Sequence, residues 1–159
     1  MDRLGITTLR AEVEDDVRVA AEAAAAARER ISQAGPSGPE SCAFQLVRFF
    51  NIVEQMGLRI AKAFENNIDD ERGWHAELIH RLSITVPGVR PAVYRPAILP
   101  ALRDLRGFRH IVTHAYDLEL DTEHLAIVLR HAENAASLLP GTMAAFFDAV
   151  TAELESDIT

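Results

Sequence analysis

The chain has 159 residues, which suits one domain and is short for two. Hydrophobic residues make up 48% and charged residues 25%, ordinary globular values that exclude a disordered, fibrous or low-complexity chain. The net charge of −8 argues against a generic nucleic-acid-binding protein, and the single Cys42 excludes an intramolecular disulfide and a multi-cysteine zinc site. With no secretory signal and no apolar run of about 18 residues, we expect one cytoplasmic domain over residues 1–159, away from membranes.

The first predicted element is a long helix over residues 6–34, in which Ala20 to Ala27 give the highest helix propensity of the chain. Its apolar face is weak, so we expect it to pack late in folding or against a partner. Glycines and prolines predict a break over residues 35–40, and Ser41 is the expected N-cap of the next helix.

Two helices are predicted in the middle of the chain. The first covers about residues 42–66, with apolar residues at helical spacing: Phe44, Val47, Ile52, Met56, Ile60 and Phe64. A loop is expected over residues 66–70. A shorter helix then covers about residues 71–85 with Trp74, Leu78 and Leu82 on one face, and the prolines and glycine of residues 87–91 end it.

The last third of the chain predicts two or three further helices. A fourth helix starts near Pro96 and Pro100 and continues through about Tyr116. Asp121 or Thr122 caps a fifth helix, which Pro140-Gly141 either kinks or divides, leaving a final helix over residues 142–154. The fold class is therefore all-α, an antiparallel bundle of four to six helices whose main body covers residues 41–155.

Positive charge is concentrated in the middle of this acidic chain. Residues 72–110 contain seven Arg against Glu77 and Asp104, a net charge of +5. Such a region can form a local anion site, or its arginines can be scattered over several faces.

The fourth helix carries the side chains best suited to chemistry. On a wheel of about 100° per residue, its core face holds Leu105, Phe108, Ile111, Val112, Ala115 and Leu118, with Asp104 as the one charge on the apolar side. The opposite arc holds Arg106, Arg109, His110, Thr113, His114, Tyr116 and Asp117. Guanidinium groups suit phosphate and imidazoles suit proton transfer near neutral pH, whereas a solvated basic helix face is the plain alternative.

The spacing Arg109-(four residues)-His114-Ala115-Tyr116 is the R-x4-H-x-Y pattern, and it resembles the HEPN superfamily, more narrowly its HepT-like ribonuclease toxins. The resemblance covers residues 74–121. It includes the segments Trp74-His75, Arg90-Pro91-Ala92, Leu105 to His110 and Leu120-Asp121.

The resemblance implies a metal-independent endoribonuclease toxin that acts as a homodimer and needs no cofactor. Carried over, His114 is the general acid/base for attack of a ribose 2′-hydroxyl on the adjacent phosphate, leaving a 2′,3′-cyclic phosphate, and Arg109 binds that phosphate. The two side chains lie about 140° apart on the wheel, too far for contact within one helix. Facing helices of two protomers could bring Arg109 of one copy to His114 of the other.

Three further side chains have roles that the resemblance implies or leaves open. Tyr116 is the expected AMP acceptor for a partner nucleotidyltransferase acting as antitoxin; otherwise it is a phenol bonded at a helix end. Arg106 and His110 are expected to help hold RNA, although His110 can equally orient the arginine or face water.

Other site classes are less well supported by the residues. His110 and His114 have the i, i+4 spacing of two metal ligands, but Ile111 stands where a zinc protease has Glu, and Glu77-x-x-His80 is half of a di-iron signature without its second copy. Cys42 is expected in the core. A non-catalytic HEPN-type dimer that binds a partner or nucleotide is the main alternative function, and a purely structural helical domain is the third.

Overall fold

The computed structural model describes residues 2–65, 74–114 and 119–156. These residues form five helices: α1 (Arg3–Ile31), α2 (Ser37–Phe64), α3 (Trp74–Leu82), α4 (Leu99–His114) and α5 (Thr122–Ser156). Within those ranges, β structure is limited to an isolated antiparallel bridge between Val86 and Arg90. The predicted all-α fold of four to six helices is confirmed.

Helix α1 packs within the bundle, although the sequence predicts only a weak apolar face for it. It begins at Arg3, and the side chain of the N-cap residue Asp2 accepts a hydrogen bond from the Gly5 amide at 2.8 Å. It packs most extensively against α2 and then against α5. Ala20, Ala23 and Ala27 are buried in this contact. Small side chains allow the backbones of neighbouring helices to lie close together. Helix α1 therefore packs well against its neighbours although its apolar face is weak.

The turn between α1 and α2 is shorter than predicted. Helix α2 begins at Ser37, with Pro36 at the N-cap position, so Ser41 lies inside the helix and is not its cap. Gly38 is buried against the end of α1, where an added Cβ would lie 3.0 Å from the Arg30 carbonyl oxygen. Pro39 is tolerated because the first turn of a helix has no internal partner for its amides.

The buried face of α2 differs in part from the predicted one. Met56 and Ile60 are buried as expected, but Phe44 is 64% exposed, and Phe49 and Phe50 fill the core instead. Helix α2 contacts all four other helices, so it is buried on several sides. For such a helix, the spacing of apolar residues along one stripe cannot predict which of them are buried.

A buried arginine organises the segment between α3 and α4. The Arg90 side chain is fully buried and forms an ion pair with Glu65, at the end of α2, at 2.7 Å. It also donates hydrogen bonds to the carbonyl oxygens of Arg81 (3.0 Å), Ile84 (3.0 Å) and Pro91 (3.2 Å). These bonds hold the non-helical segment 83–98 against the bundle. The predicted loop 66–70 and the side chains of Trp74 and His75 lie outside the described residues.

Helix α5 begins at Thr122, and the Asp121 carboxylate accepts a hydrogen bond from the Glu123 amide at 3.0 Å, which confirms the predicted cap. The helix continues through Pro140 to Ser156, so no separate final helix forms. Leu139 and Met143, on either side of the exposed Pro140, are buried and hold the two halves in line.

One window of 18 residues in α5 reaches a mean hydropathy of 1.2, sufficient by length and composition to cross a membrane. The sequence contains no unbroken apolar run of that length, and 39% of this window is buried inside the bundle. The core helix of a helical bundle can meet the same criterion, so this window does not by itself indicate a membrane span.

Candidate active site

Helix α4 has a core face and an opposite polar face, as the wheel predicts. The described part of the polar face is called the polar ridge below; it holds Arg106, Arg109, His110, Thr113 and His114. Leu102, Leu105 and Phe108 are buried against α2 and α5. Ile111 was expected on this face, but it is 47% exposed and lines a surface groove with His124 and Ile127 of α5. Helix α5 covers α4 nearer to Phe108, whose ring contacts His124 edge-on at a centroid distance of 6.2 Å, and therefore leaves the next turn of α4 open.

His114 is exposed at the C-terminal end of α4, and its own helix fixes its tautomer. Its Nδ1 lies 3.0 Å from the His110 carbonyl oxygen and 3.0 Å from the Thr113 hydroxyl. That hydroxyl uses its proton in a 2.8 Å bond to the Arg109 carbonyl oxygen, so its oxygen accepts. Two acceptors require a proton on Nδ1, and in a neutral imidazole the lone pair is then on Nε2. Residue type and spacing provide no reason to single out Thr113.

His110 is exposed and lies directly on His114. The two rings are stacked, with centroids 4.5 Å apart and planes at 30°. The His110 ring therefore contacts the other imidazole as well as solvent. Arg106, one turn earlier, is partly exposed and has no ion pair within the described residues.

Arg109 lies at the junction of α4 with α2, on the other edge of the polar ridge. Its side chain is 28% exposed, and its Nη2 is 3.9 Å from Oε2 of Glu54 in α2. Its Nε is buried and has no hydrogen-bond partner. The guanidinium is therefore held partly inside the protein with donor capacity remaining, which differs from the free surface arginine that the wheel suggested.

Glu54 is the site residue that sequence reasoning missed. It is 7% exposed in the buried face of α2, next to Val53, whose carbonyl oxygen accepts a 3.2 Å hydrogen bond from the Tyr94 hydroxyl. Burial is the main cause that raises the pKa of the Tyr94 phenol, and the negative charge of Glu54 raises it further. A carboxylate on an apolar helix face is the signal that could have pointed to Glu54.

The structure does not bring Arg109 and His114 together within one chain. Helix α4 is continuous from Leu99 to His114, so the two side chains keep their separation of about 140° around the axis. Arg109 contacts α2, whereas His114 contacts its own helix and His110. The predicted AMP acceptor Tyr116 lies outside the described residues.

Asp104, predicted on the apolar side of α4, is exposed and paired with His131 of α5. Asp104 Oδ2 and His131 Nδ1 are 2.7 Å apart, but the contact lacks the alignment of a hydrogen bond. Cys42 is buried as predicted, and burial raises the pKa of its thiol to about 11, which disfavours the nucleophilic thiolate. The described residues contain no group of three or more His, Cys, Asp or Glu that could hold a metal ion.

Five helices with the R-x4-H spacing on α4 place the chain among the HEPN-like all-α proteins. A family model described as HepT-like protein matches residues 41–150, from α2 to most of α5. The chain belongs to the HepT-like family, as its sequence resemblance indicates. This family points to the HEPN-type superfamily of toxins and ribonucleases. No curated protein and no solved structure matches the chain.

Proposed function

We propose that the protein is a metal-independent endoribonuclease, the toxin of a toxin–antitoxin pair. The observation that carries the proposal is the pair of side chains on α4: a partly exposed arginine whose terminal N–H groups make no hydrogen bond within the described residues, and an exposed histidine with a fixed tautomer. Membership of the HepT-like family supports the same reaction class.

In the proposed reaction, Nε2 of His114 takes the proton from a ribose 2′-hydroxyl. The 2′-oxygen then forms a bond to the adjacent phosphorus, and the bond from phosphorus to the 5′-oxygen breaks. A protonated imidazole returns a proton to that 5′-oxygen, giving a 2′,3′-cyclic phosphate and a 5′-hydroxyl. Arg109 binds the phosphate and stabilises the charge that develops on its oxygens. The stacked His110 and the half-exposed Arg106 would hold the neighbouring RNA.

The separation of Arg109 from His114 supports a homodimer as the active form. A phosphate bound to Arg109 of one protomer would meet His114 of the other if two α4 helices faced each other across a two-fold axis. A preparation that is monomeric and fully active would contradict this arrangement.

Control of the toxin would act on the same site. A nucleotidyltransferase-type antitoxin would transfer AMP from ATP to the Tyr116 hydroxyl with release of pyrophosphate. An anionic nucleotide near Arg109 and His114 would compete with RNA by charge and volume. A cytoplasmic location away from membranes fits an RNA substrate and a nucleotide-dependent partner.

The test is RNA cleavage in EDTA with detection of 2′,3′-cyclic ends. We expect cleavage by the wild-type protein and none by Arg109→Ala or His114→Ala. His80→Ala is the matched control, because His80 is an exposed histidine on α3, outside the polar ridge. This variant should cleave RNA at the wild-type rate. Equal cleavage by wild type and His114→Ala would overturn the assignment, and RNA binding without cleavage would favour the non-catalytic HEPN-type module.

Modification is tested separately with the candidate antitoxin and ATP. Mass spectrometry of the wild-type protein should show the addition of one AMP, which Tyr116→Phe should abolish. Loss of cleavage on modification is the expected result. A modified protein that still cleaves RNA at the wild-type rate would contradict the regulatory role.

A further inference from the structure

The carboxylate of Glu54 lies in surroundings that are costly for a charge. Its side chain is 6% exposed, and it borders a small cavity lined by Phe50, Leu78, Tyr94 and Leu102. Removing a carboxylate from water is unfavourable unless a partner charge or hydrogen bonds offset the loss. A residue of this kind on an apolar helix face requires a reason beyond packing.

The contact between Glu54 and Arg109 attracts the guanidinium without using its donors. At 3.9 Å, Oε2 of Glu54 and Nη2 of Arg109 are within ion-pair range but beyond a hydrogen bond. The Arg109 guanidinium has five N–H donors, and its Nε is buried without a partner. The carboxylate thus draws the group towards α2, and the terminal N–H groups of the partly exposed guanidinium, rather than the buried Nε, remain for a second anion.

We infer that Glu54 is a positioning residue, which holds the Arg109 guanidinium at the edge of the ridge so that its free N–H groups face a phosphodiester. The inference rests on the proposed ribonuclease activity. Glu54 touches no substrate in this scheme and acts only through Arg109. It also offsets part of the positive charge of Arg109, so that ground-state binding of RNA is weaker than an isolated arginine would give.

These two effects of Glu54 predict opposite changes in binding and rate for Glu54→Gln, which keeps the shape of the side chain and removes its charge. We expect kcat to fall about 10- to 100-fold, because a guanidinium misplaced by about 1 Å loses catalytic contacts. We expect KM for a single-stranded RNA to stay the same or fall, because the positive charge of Arg109 is no longer offset by the Glu54 carboxylate. Glu54→Asp keeps the charge and should retain more activity than Glu54→Gln.

A matched control separates positioning from folding. Glu65→Gln removes the charge of another mostly buried carboxylate, which lies at the end of α2 and pairs with Arg81 and Arg90 rather than with Arg109. It should lower stability but leave kcat per folded molecule unchanged. The folded fraction of each variant is measured by circular dichroism at the assay temperature, and kcat is expressed per folded molecule.

The decisive comparison uses a second background. We expect Arg109→Lys to keep the charge and part of the activity. In that background, adding Glu54→Gln should change kcat less than twofold, since the geometry that Glu54 maintains is already lost. Additive losses of kcat in the double variant, or unchanged kcat in Glu54→Gln alone, would overturn the inference while leaving the ribonuclease function in place. Wild-type protein that leaves RNA intact would overturn both.

Discussion

Arg90 and Arg109 are both mostly hidden arginines, and both belong to the segments that resemble HepT-like proteins, yet their surroundings are opposite. All three side-chain nitrogens of Arg90 donate hydrogen bonds, to Glu65 and to backbone carbonyl oxygens. Arg109 has one distant carboxylate and a buried Nε without a partner. A saturated guanidinium can only hold the fold together, whereas an unsaturated one can still bind an anion.

The largest expected difference between the two arginines is in how much each contributes to the stability of the fold. Arg90→Ala should lower the free energy of unfolding by about 3–5 kcal/mol, because it removes one of the two arginine partners of the mostly buried Glu65 and takes the arginine donors from three carbonyl groups. Urea denaturation followed by circular dichroism measures the loss. Arg95→Ala, at an exposed position of the same segment, is the control and should stay close to wild type. A loss below about 1 kcal/mol for Arg90→Ala would show that Arg90 does not organise this segment.

Arg109→Ala should cost less stability than Arg90→Ala but more than a surface change. We expect about 1–2 kcal/mol in the same urea experiment, because Glu54 loses a charge partner and the aliphatic part of the side chain is lost. The wheel alone predicts almost no cost, since it places Arg109 on a solvated face. Catalytic activity should be lost completely, so the ratio of activity loss to stability loss is far larger than for Arg90. An Arg109→Ala protein as unstable as Arg90→Ala would remove the distinction between the two arginines.

The pH dependence of stability tests the Arg90 cluster again with a smaller effect. Burial alone would raise the pKa of Glu65, but the hydrogen bonds from Arg81 and Arg90 outweigh it and lower the pKa below its ordinary value of 4.5. A lowered folded-state pKa contributes stability above the unfolded value, and that stability is lost as the pH falls through the folded value. The free energy of unfolding should therefore decline as the pH falls below about 4.5, and Glu65→Gln should flatten this decline.

Much of the fold could be predicted from sequence because α1 and α2 are long and their central parts lack helix breakers, whereas Pro140-Gly141 left the division of α5 open. The errors have local physical causes. Phe44 was placed in the core because its spacing fits a stripe, but α2 is buried on several sides and Phe49 and Phe50 occupy the interior. Ser41 was a reasonable cap by residue type, yet the close approach at Gly38 starts the helix earlier.

The candidate site was predictable only as far as it lies on one helix. Arg109 and His114 follow from a spacing pattern within α4, so sequence reasoning found both. Glu54 approaches Arg109 from a different helix, and Glu65 approaches Arg90 across 25 positions. Such contacts depend on tertiary packing, which no spacing rule encodes.

Among these variants, His114→Ala should have the smallest effect on stability. It is the opposite of Arg90→Ala, for which the largest loss of stability is expected. The His114 ring is exposed, and its Nδ1 bonds only within its own turn of α4. His114→Ala should therefore change the free energy of unfolding by no more than about 0.5 kcal/mol, although general acid–base catalysis contributes about 10²- to 10⁴-fold to rate. Urea denaturation and cleavage of RNA in EDTA, on the same preparation, measure the two quantities. A large stability loss in His114→Ala would mean that the imidazole holds the end of α4 in place, and its loss of activity would then have a structural cause.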